Sequence, residues 1–403
     1  MRRFDVVIVG AGPAGSVAAR DLSWAGARVA IVDGSHPREK PCGGGVTGRA
    51  LDLARLSETG SAAVDTGRVI ERVVFEAGRR TTAVDLRSGN DLRVFSRETF
   101  DTALLSEASQ AGAVVVRARA KGIARSATGW TITTDAGPLG SSWLLGADGA
   151  GGIVRKQVFR PFERRQISIA AGSYVDDVET AEIAIAFVDT PRGYLWSFPR
   201  SGHLAVGACA QANETTTAEM HAIADAWIDR YPAAAGRRRR RYAWPIPSLG
   251  AADLDAERPA GDGWLLLGDA AGLVDPITRE GIFFALRSGI LAAAAIRDAD
   301  PSRVYATSVR DELHGELRRA ARLKAGFYRP RFTRLLIEAL EHSETIRRVM
   351  VDLVAGRQSY RGLKRRLVST LEIGLMWKLV RPITSPGTRH GHAPSHRDVR
   401  RER

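Results

Sequence analysis

The sequence predicts an α/β fold: a Rossmann-like unit, a β-rich excursion from it, and a helical C-terminal region. Three observations carry that prediction. An apolar run from Phe4 to Val9 enters Gly10-Ala11-Gly12-Pro13-Ala14-Gly15 and continues into small helical residues. A second run, Ala27 to Val32, ends in Asp33, 18 residues after Gly15. A third, Gly263 to Leu267, ends in Gly268-Asp269-Ala270-Ala271-Gly272, and a helical pattern follows to about Ile296.

Each glycine of the first turn has a physical role. Gly10 permits the tight strand-to-helix turn, Gly12 lets a pyrophosphate approach the backbone without meeting a Cβ, and Gly15 lets the helix sit close on the sheet. The phosphates would lie at a helix N-terminus, where unpaired N–H groups and the macrodipole favour negative charge. Pro13 suits the first helical turn, where its missing N–H costs nothing. Asp33 stands where a βαβ unit places the carboxylate for the adenosine ribose hydroxyls, and it disfavours a 2′-phosphate there.

Composition sets limits. A chain of 403 residues can bury one large core or two linked ones. Hydrophobic content of 44% and charge of 26% are ordinary for a soluble protein. A net charge of +14 is not, and suggests an anionic surface or substrate unless the excess is solvated arginine. With only Cys42 and Cys209, no disulfide framework is expected, which suits a reducing cytosol. No signal-peptide pattern precedes the first strand, and no membrane-spanning apolar stretch of roughly 18 residues is found, so a cytoplasmic protein is expected.

The remaining elements follow in order. Pro41-Cys42-Gly43-Gly44-Gly45 suits neither helix nor strand; it is a flexible loop or a backbone laid flat on a planar ligand. Residues 67–94 alternate short β-like runs with turns. Ser96 is an N-cap for a helix with Phe100, Leu104, Ala108 and Ala111 on its apolar face. Arg97 opposes that helix's dipole by ~0.3–1 kcal/mol, a conflict that a nearby phosphate would remove; the alternative is a solvated arginine. Strands are expected at Val114–Val116, Trp130–Thr134 and Trp143 to Asp148-Gly149, and residues 167–207 read as all-β. Within them Tyr194, Trp196 and Phe198 share one strand face, as core or as the wall of an apolar pocket. A helix is expected over 214–231. The five arginines Arg237 to Arg241 form a solvated face or meet an anionic surface. Trp244-Pro245 and Ile246-Pro247 are expected to break regular structure. Leu363, Leu367, Leu371, Leu375 and Leu379, with interspersed cations, make residues 361–381 an interfacial amphipathic helix or one packed on the protein. Residues 382–403, with His390, His392 and His396, read as a disordered basic tail rather than a metal site.

Taken together, the GxGPAG turn, Ala147-Asp148-Gly149 and Gly268-Asp269-Ala270-Ala271-Gly272 resemble FAD-dependent oxidoreductases of the p-hydroxybenzoate hydroxylase superfamily. The Cys42 loop, the Tyr194-x-Trp196-x-Phe198-Pro199 strand and Glu280-Gly281-Ile282-Phe283-Phe284-Ala285 are similar to the geranylgeranyl reductase family. The resemblance covers roughly residues 4–290. It implies an FAD-binding domain from 1–75, 95–165 and 255–300, a β-rich substrate domain from 76–94 and 166–254, and a helical region from 301–381. Gly10, Gly12, Ala14, Gly15 and Asp33 would hold the ADP half of FAD, with Arg97 nearby and Asp148 in the cofactor site. Gly268 and Asp269 would meet the ribityl–pyrophosphate region. Cys42, Gly43, Gly44, Gly45, Pro276, Gly281 and Ile282 would flank the isoalloxazine, and Tyr194, Trp196 and Phe198 would line the substrate cavity. Two positions depart from the pattern. Gly152 replaces the usual Ser three residues before Arg155, and Thr278-Arg279 replaces a commoner small or glycine residue.

The resemblance implies a reductase that saturates C=C bonds of a geranylgeranyl or similar prenyl chain by hydride transfer from reduced flavin, with Cys42 as candidate proton donor. The same scaffold supports a monooxygenase or halogenase-like enzyme on an aromatic substrate, or a non-enzymatic flavin or lipid binder. No second GxGxxG follows an apolar strand run, since Gly43-x-Gly45-x-x-Gly48 follows a Pro-Cys loop, so NAD(P)H would dock transiently or a ferredoxin-like carrier would bring electrons. The expected partners are a prenyl-chain small molecule, an anionic membrane surface and an electron-transfer protein; neither metal nor nucleic acid is expected.

Overall fold

A computed structural model describes residues 1–366 apart from 57, 59, 87–90 and 364. An eight-stranded sheet forms on the three apolar runs. Its parallel strands lie in the order Trp264–Leu266, Gly137–Gly146, Arg2–Val9, Val29–Val32, Val114–Val116. Val6, Val7, Ile8 and Val9 are all buried, as a central parallel strand requires. The helices Pro13–Trp24 and Ile282–Ala295 pack on each other through small residues: a Cβ on Gly289 would stand 2.5 Å from the Ala14 carbonyl oxygen. Parallel strands end at one edge, so Gly10, Asp33, Asp148 and Gly268-Asp269 all come to the same side of the sheet.

A seven-stranded sheet is ordered Arg239–Pro247, Ile167–Asp176, His203–Gln211, Gly193–Arg200, Glu182–Val188, Arg72–Ala77, Arg80–Asp85. Its alternation gives two faces. Leu195, Val206 and Ala208 meet Trp227 and Ile228 of the helix Thr217–Arg230. The opposite face carries Tyr174, Tyr194, Trp196, Cys209 and Tyr242. Gly45–Thr47, Leu92–Val94 and Arg68–Val69 form a third, three-stranded sheet. Ile337 and Leu340 of the helix Pro330–His342 pack on Val73, Phe75 and Val84.

Two local expectations are corrected and a third gains its partners. Pro245 and Pro247 do not break the chain: both lie inside the strand Arg239–Pro247. That strand pairs on one side only, at the sheet edge, where a missing N–H is tolerated. The arginine run Arg237 to Arg241 is exposed, as a solvated face requires, and three of its members pair at the surface: Arg239 with Asp229, Arg240 with Asp176 and Arg241 with Asp225, at 2.7, 3.3 and 2.7 Å. Arg97 is buried, not solvated, and its conflict with the helix dipole is met by carboxylates. Its guanidinium makes two bonds to Asp101, one turn on, at 3.0 and 2.8 Å.

Of the expected helix over 361–381, residues 364 and 367–381 lie outside the described residues, as does all of 382–403. Among the described residues no helix is long and apolar enough to cross a membrane, and no group of three or more His, Cys, Asp or Glu is placed to hold a metal.

Candidate functional site

The first turn is shaped by what its glycines exclude. Gly10 has φ +106, and a Cβ there would collide with the Ala147 carbonyl. A Cβ on Gly15 would collide with the Gly10 carbonyl oxygen. Gly12 differs: the nearest atom to a Cβ there is His36 Nε2, at 3.8 Å. Space is therefore kept above Gly12 alone. No side chain caps the helix that begins at Pro13, so its first N–H groups remain free for an anion.

Asp33 closes this turn. Its Oδ2 accepts from Ala11 N–H at 3.0 Å, and its Oδ1 accepts from the N–H groups of Ser35 and His36 at 2.7 and 3.0 Å. His36, unnoticed in the sequence, bridges Asp33 and Asp101 with Nδ1 and Nε2 at 3.1 and 3.2 Å. Burial disfavours its charge, but the pull of the two flanking carboxylates outweighs it and raises the imidazole pKa. Asp33 is held well below the carboxylate range: burial opposes this, and His36 and Ala11 N–H win.

Asp148 turns to the next helix. Its Oδ2 accepts from Val154 N–H at 3.0 Å, and burial pushes its pKa up to about 6. A Cβ on Gly152 would collide with this carboxylate. Gly152 thus leaves room for Asp148, whose carboxylate caps the helix that begins at Ile153.

The Cys42 loop is held from both sides. Arg200, fully buried at the end of the aromatic strand, donates to the carbonyls of Cys42 and Gly43 and pairs with Glu39. Glu39 also accepts from Arg97 N–H and Ser96 Oγ at 2.9 and 2.6 Å. Gly43 packs flat on the Phe198 ring, where a Cβ would collide. Glu280 ties the loop's far end to Pro276–Ile282 through Thr47 Oγ1 and Arg49 at 3.2 and 2.6 Å. Cys42 Sγ accepts from Gly44 N–H at 3.3 Å and lies beside Arg97. Asp269 pairs with Lys40 at 3.3 Å, and Gly281 sits against Asp269: a Cβ there would be 3.3 Å from Oδ1.

The aromatic face closes over this loop. Tyr194 and Trp196 rings are 5.9 Å apart, and Tyr194 lies parallel to Tyr328 at 6.3 Å. Tyr194 donates its hydroxyl to Thr278 O at 2.8 Å, and Tyr328 donates to Ile277 O. Two expected groups, Cys42–Gly45 and Tyr194–Phe198, are thus brought together with Pro276–Ile282. Lys40, His36, Glu39, Arg200 and Tyr328 were missed in the sequence. Arg200 alone left a local signal, as the residue directly after Phe198-Pro199.

The family profile described as FAD binding domain matches residues 3–297. A digeranylgeranylglycerophospholipid reductase of Methanothrix thermoacetophila is 30% identical over 74% of this chain and 78% of its own. A menaquinone reductase of Mycolicibacterium smegmatis is 28% identical over 87% of this chain and 91% of its own. A solved geranylgeranyl bacteriochlorophyll reductase-like protein of Thermoplasma acidophilum superposes with a TM-score of 0.73 at 22% identity, covering 92% of this chain and 99% of that one, and shares the fold.

Proposed function

The chain belongs to the FAD binding domain family and is a geranylgeranyl reductase-like FAD-dependent oxidoreductase, and from that premise we propose that it saturates a C=C bond in the prenyl chain of an isoprenoid lipid. The observation that carries this reading is the clamping of the Cys42 loop between the aromatic strand, by Arg200, and the Pro276–Ile282 segment, by Glu280. The named functions of the relatives support a prenylated substrate, and the menaquinone reductase supports a quinone as one of its carriers. We assign the eight-stranded sheet to the cofactor and the seven-stranded sheet to the substrate. NAD(P)H or a small electron carrier would reduce the enzyme.

FAD fits the residues present. Gly10, Gly12, Ala14, Gly15 and Asp33 would hold its ADP half, with Arg97 and Asp148 supporting, and Gly268 and Asp269 would meet the ribityl–pyrophosphate region. Cys42 to Gly45, Pro276, Gly281 and Ile282 would flank its ring. When bound and reduced, FAD supplies a hydride. The rest falls to this chain. An unactivated alkene has no carbonyl to stabilise developing charge, so a proton must arrive at the second carbon nearly together with the hydride. The Cys42 thiol is our candidate donor, because it lies in the loop pressed between the two sheets. Tyr194, Trp196 and Phe198 would hold the prenyl chain within ~3–3.5 Å of its hydride source and keep water away.

The test is a single turnover. Anaerobically reduced enzyme is mixed with prenyl substrates, and the flavin spectrum and substrate mass are followed. Reoxidation with a gain of two hydrogens per bond is expected, and Cys42→Ser should slow it with FAD content intact. Failure with every prenyl substrate, together with oxygen-dependent hydroxylation of an aromatic, would overturn the reading in favour of a monooxygenase.

A further inference from the structure

We propose that Arg279, with Lys324 behind it, is a head-group receptor on the aromatic face: it binds an oxygen acceptor of full or partial negative charge on the substrate. This rests on the prenyl-reductase reading and adds what the substrate must carry beside its hydrocarbon chain.

Arg279 breaks two rules at once. Its φ is +60, a left-handed conformation that strains a side chain with a Cβ. Its Nε and one Nη are buried without a hydrogen-bond partner. Other buried arginines near the cofactor edge are matched to carboxylates: Arg97 to Asp101, Arg155 to Glu257, Arg200 to Glu39. Arg279 makes no such pair among the described residues. Asp275 attracts it, but that carboxylate already accepts from Ile277 and Thr278 N–H at 2.7 and 3.0 Å and from the Tyr360 hydroxyl. The guanidinium instead faces Tyr194, Tyr328 and Cys209.

A second cation stands nearby. Lys324 Nζ donates to Gln211 Oε1 and Ser248 Oγ at 2.6 and 2.7 Å, both neutral groups. Burial and the adjacent Arg279 pull its pKa down to about 7. Among the described residues neither of these two half-buried cations has a carboxylate in salt-bridge contact, and covering them with hydrocarbon alone would deepen the penalty. A prenyl substrate lying on Tyr194 and Trp196 therefore has to bring its own acceptor oxygen. A diphosphate and a quinone carbonyl both supply one.

The test uses oxidised holoenzyme and tryptophan-fluorescence titration, so it does not depend on turnover. The probes are geranylgeranyl diphosphate, a geranylgeranylated naphthoquinone, and the matching hydrocarbon without oxygen. Wild type should bind at least one headed probe about 10–100-fold more tightly than the hydrocarbon, as for a charge-assisted hydrogen bond. Arg279→Gly should abolish that preference while keeping FAD, and should hold or raise Tm, since glycine suits the backbone. Arg279→Lys should keep part of the preference for diphosphate and lose it for the quinone, because a point charge lacks the fork. Lys324→Met should give a smaller loss. An unchanged preference in Arg279→Gly, or none in wild type, would overturn the proposal. So would a shifted flavin reduction potential with the preference intact, which would assign the cation to the cofactor. Arg279-dependent binding without reduction of any probe would support the receptor and sink the reductase; reduction of the bare hydrocarbon with equal affinity would do the reverse.

Discussion

The Gly10–Gly15 turn and the aromatic face around Arg279 treat buried charge in opposite ways. At the turn every charged group has an opposite neighbour: Asp33 and Asp101 share His36, and Arg97 pairs with Asp101. At the aromatic face Arg279 and Lys324 are held by neutral groups or none. The turn is complete except for the ligand that free N–H groups invite; the face is incomplete in charge. The difference teaches that one region is specified by backbone and local contacts, and the other by what it still has to bind.

The largest expected effect separates the glycines of the turn. Gly15→Val puts a side chain into the Gly10 carbonyl and should destabilise by more than about 3 kcal/mol, seen as loss of soluble, cooperatively melting protein. Gly12→Val, with its nearest neighbour at 3.8 Å, should fold and purify without yellow colour. A yellow Gly12→Val would end the assignment of the turn to the cofactor. Next comes the link between the two regions. Arg200→Met leaves Glu39 short of its buried partner and frees the Cys42 loop, costing about 3–5 kcal/mol in denaturant titration. A near-neutral result would mean that the loop is held by Glu280 alone.

Smaller effects probe each side. Tyr328→Phe removes one buried hydroxyl bond to Ile277 O and should cost about 1 kcal/mol. The pH response should have opposite signs in the two regions. His36 titrates above its ordinary value, so its contribution is complete below about 6.5 and is lost as pH rises through the raised pKa. His203, beside Tyr174, is pushed down to about 4 by burial and by Arg200 and Arg240. Glu39 at 4.0 Å does not rescue its charge, being already occupied by Arg200, Ser96 and Arg97 N–H. The contribution of His203 is therefore complete above about 6.5 and lost as pH falls toward about 4. Tm against pH should flatten on the alkaline side in His36→Gln and on the acid side in His203→Gln. The reverse pattern would refute the contrast.

Much of the fold was legible because it rests on short-range rules. Strand runs, the Ser96 cap and the glycine spacing act within a few residues. Errors arose where a local rule met a distant partner. Pro245 and Pro247 read as breakers until the edge position made their missing N–H harmless. Arg97 seemed to need a phosphate until Asp101 and Glu39 supplied the negative charge.

By itself the sequence determined a dinucleotide-type edge: Gly10, Gly12, Gly15 and Asp33 follow from backbone sterics and βαβ geometry, which need no knowledge of the remaining chain. Only the tertiary structure decided what faces that edge. Arg200 reaches Cys42 across 158 residues, Tyr328 reaches Ile277 across 51, and Lys324 comes near enough to Arg279 to feel its charge. Such contacts depend on where two sheets and a helix pair place side chains, and whether a buried cation is matched or left open is set by that packing alone.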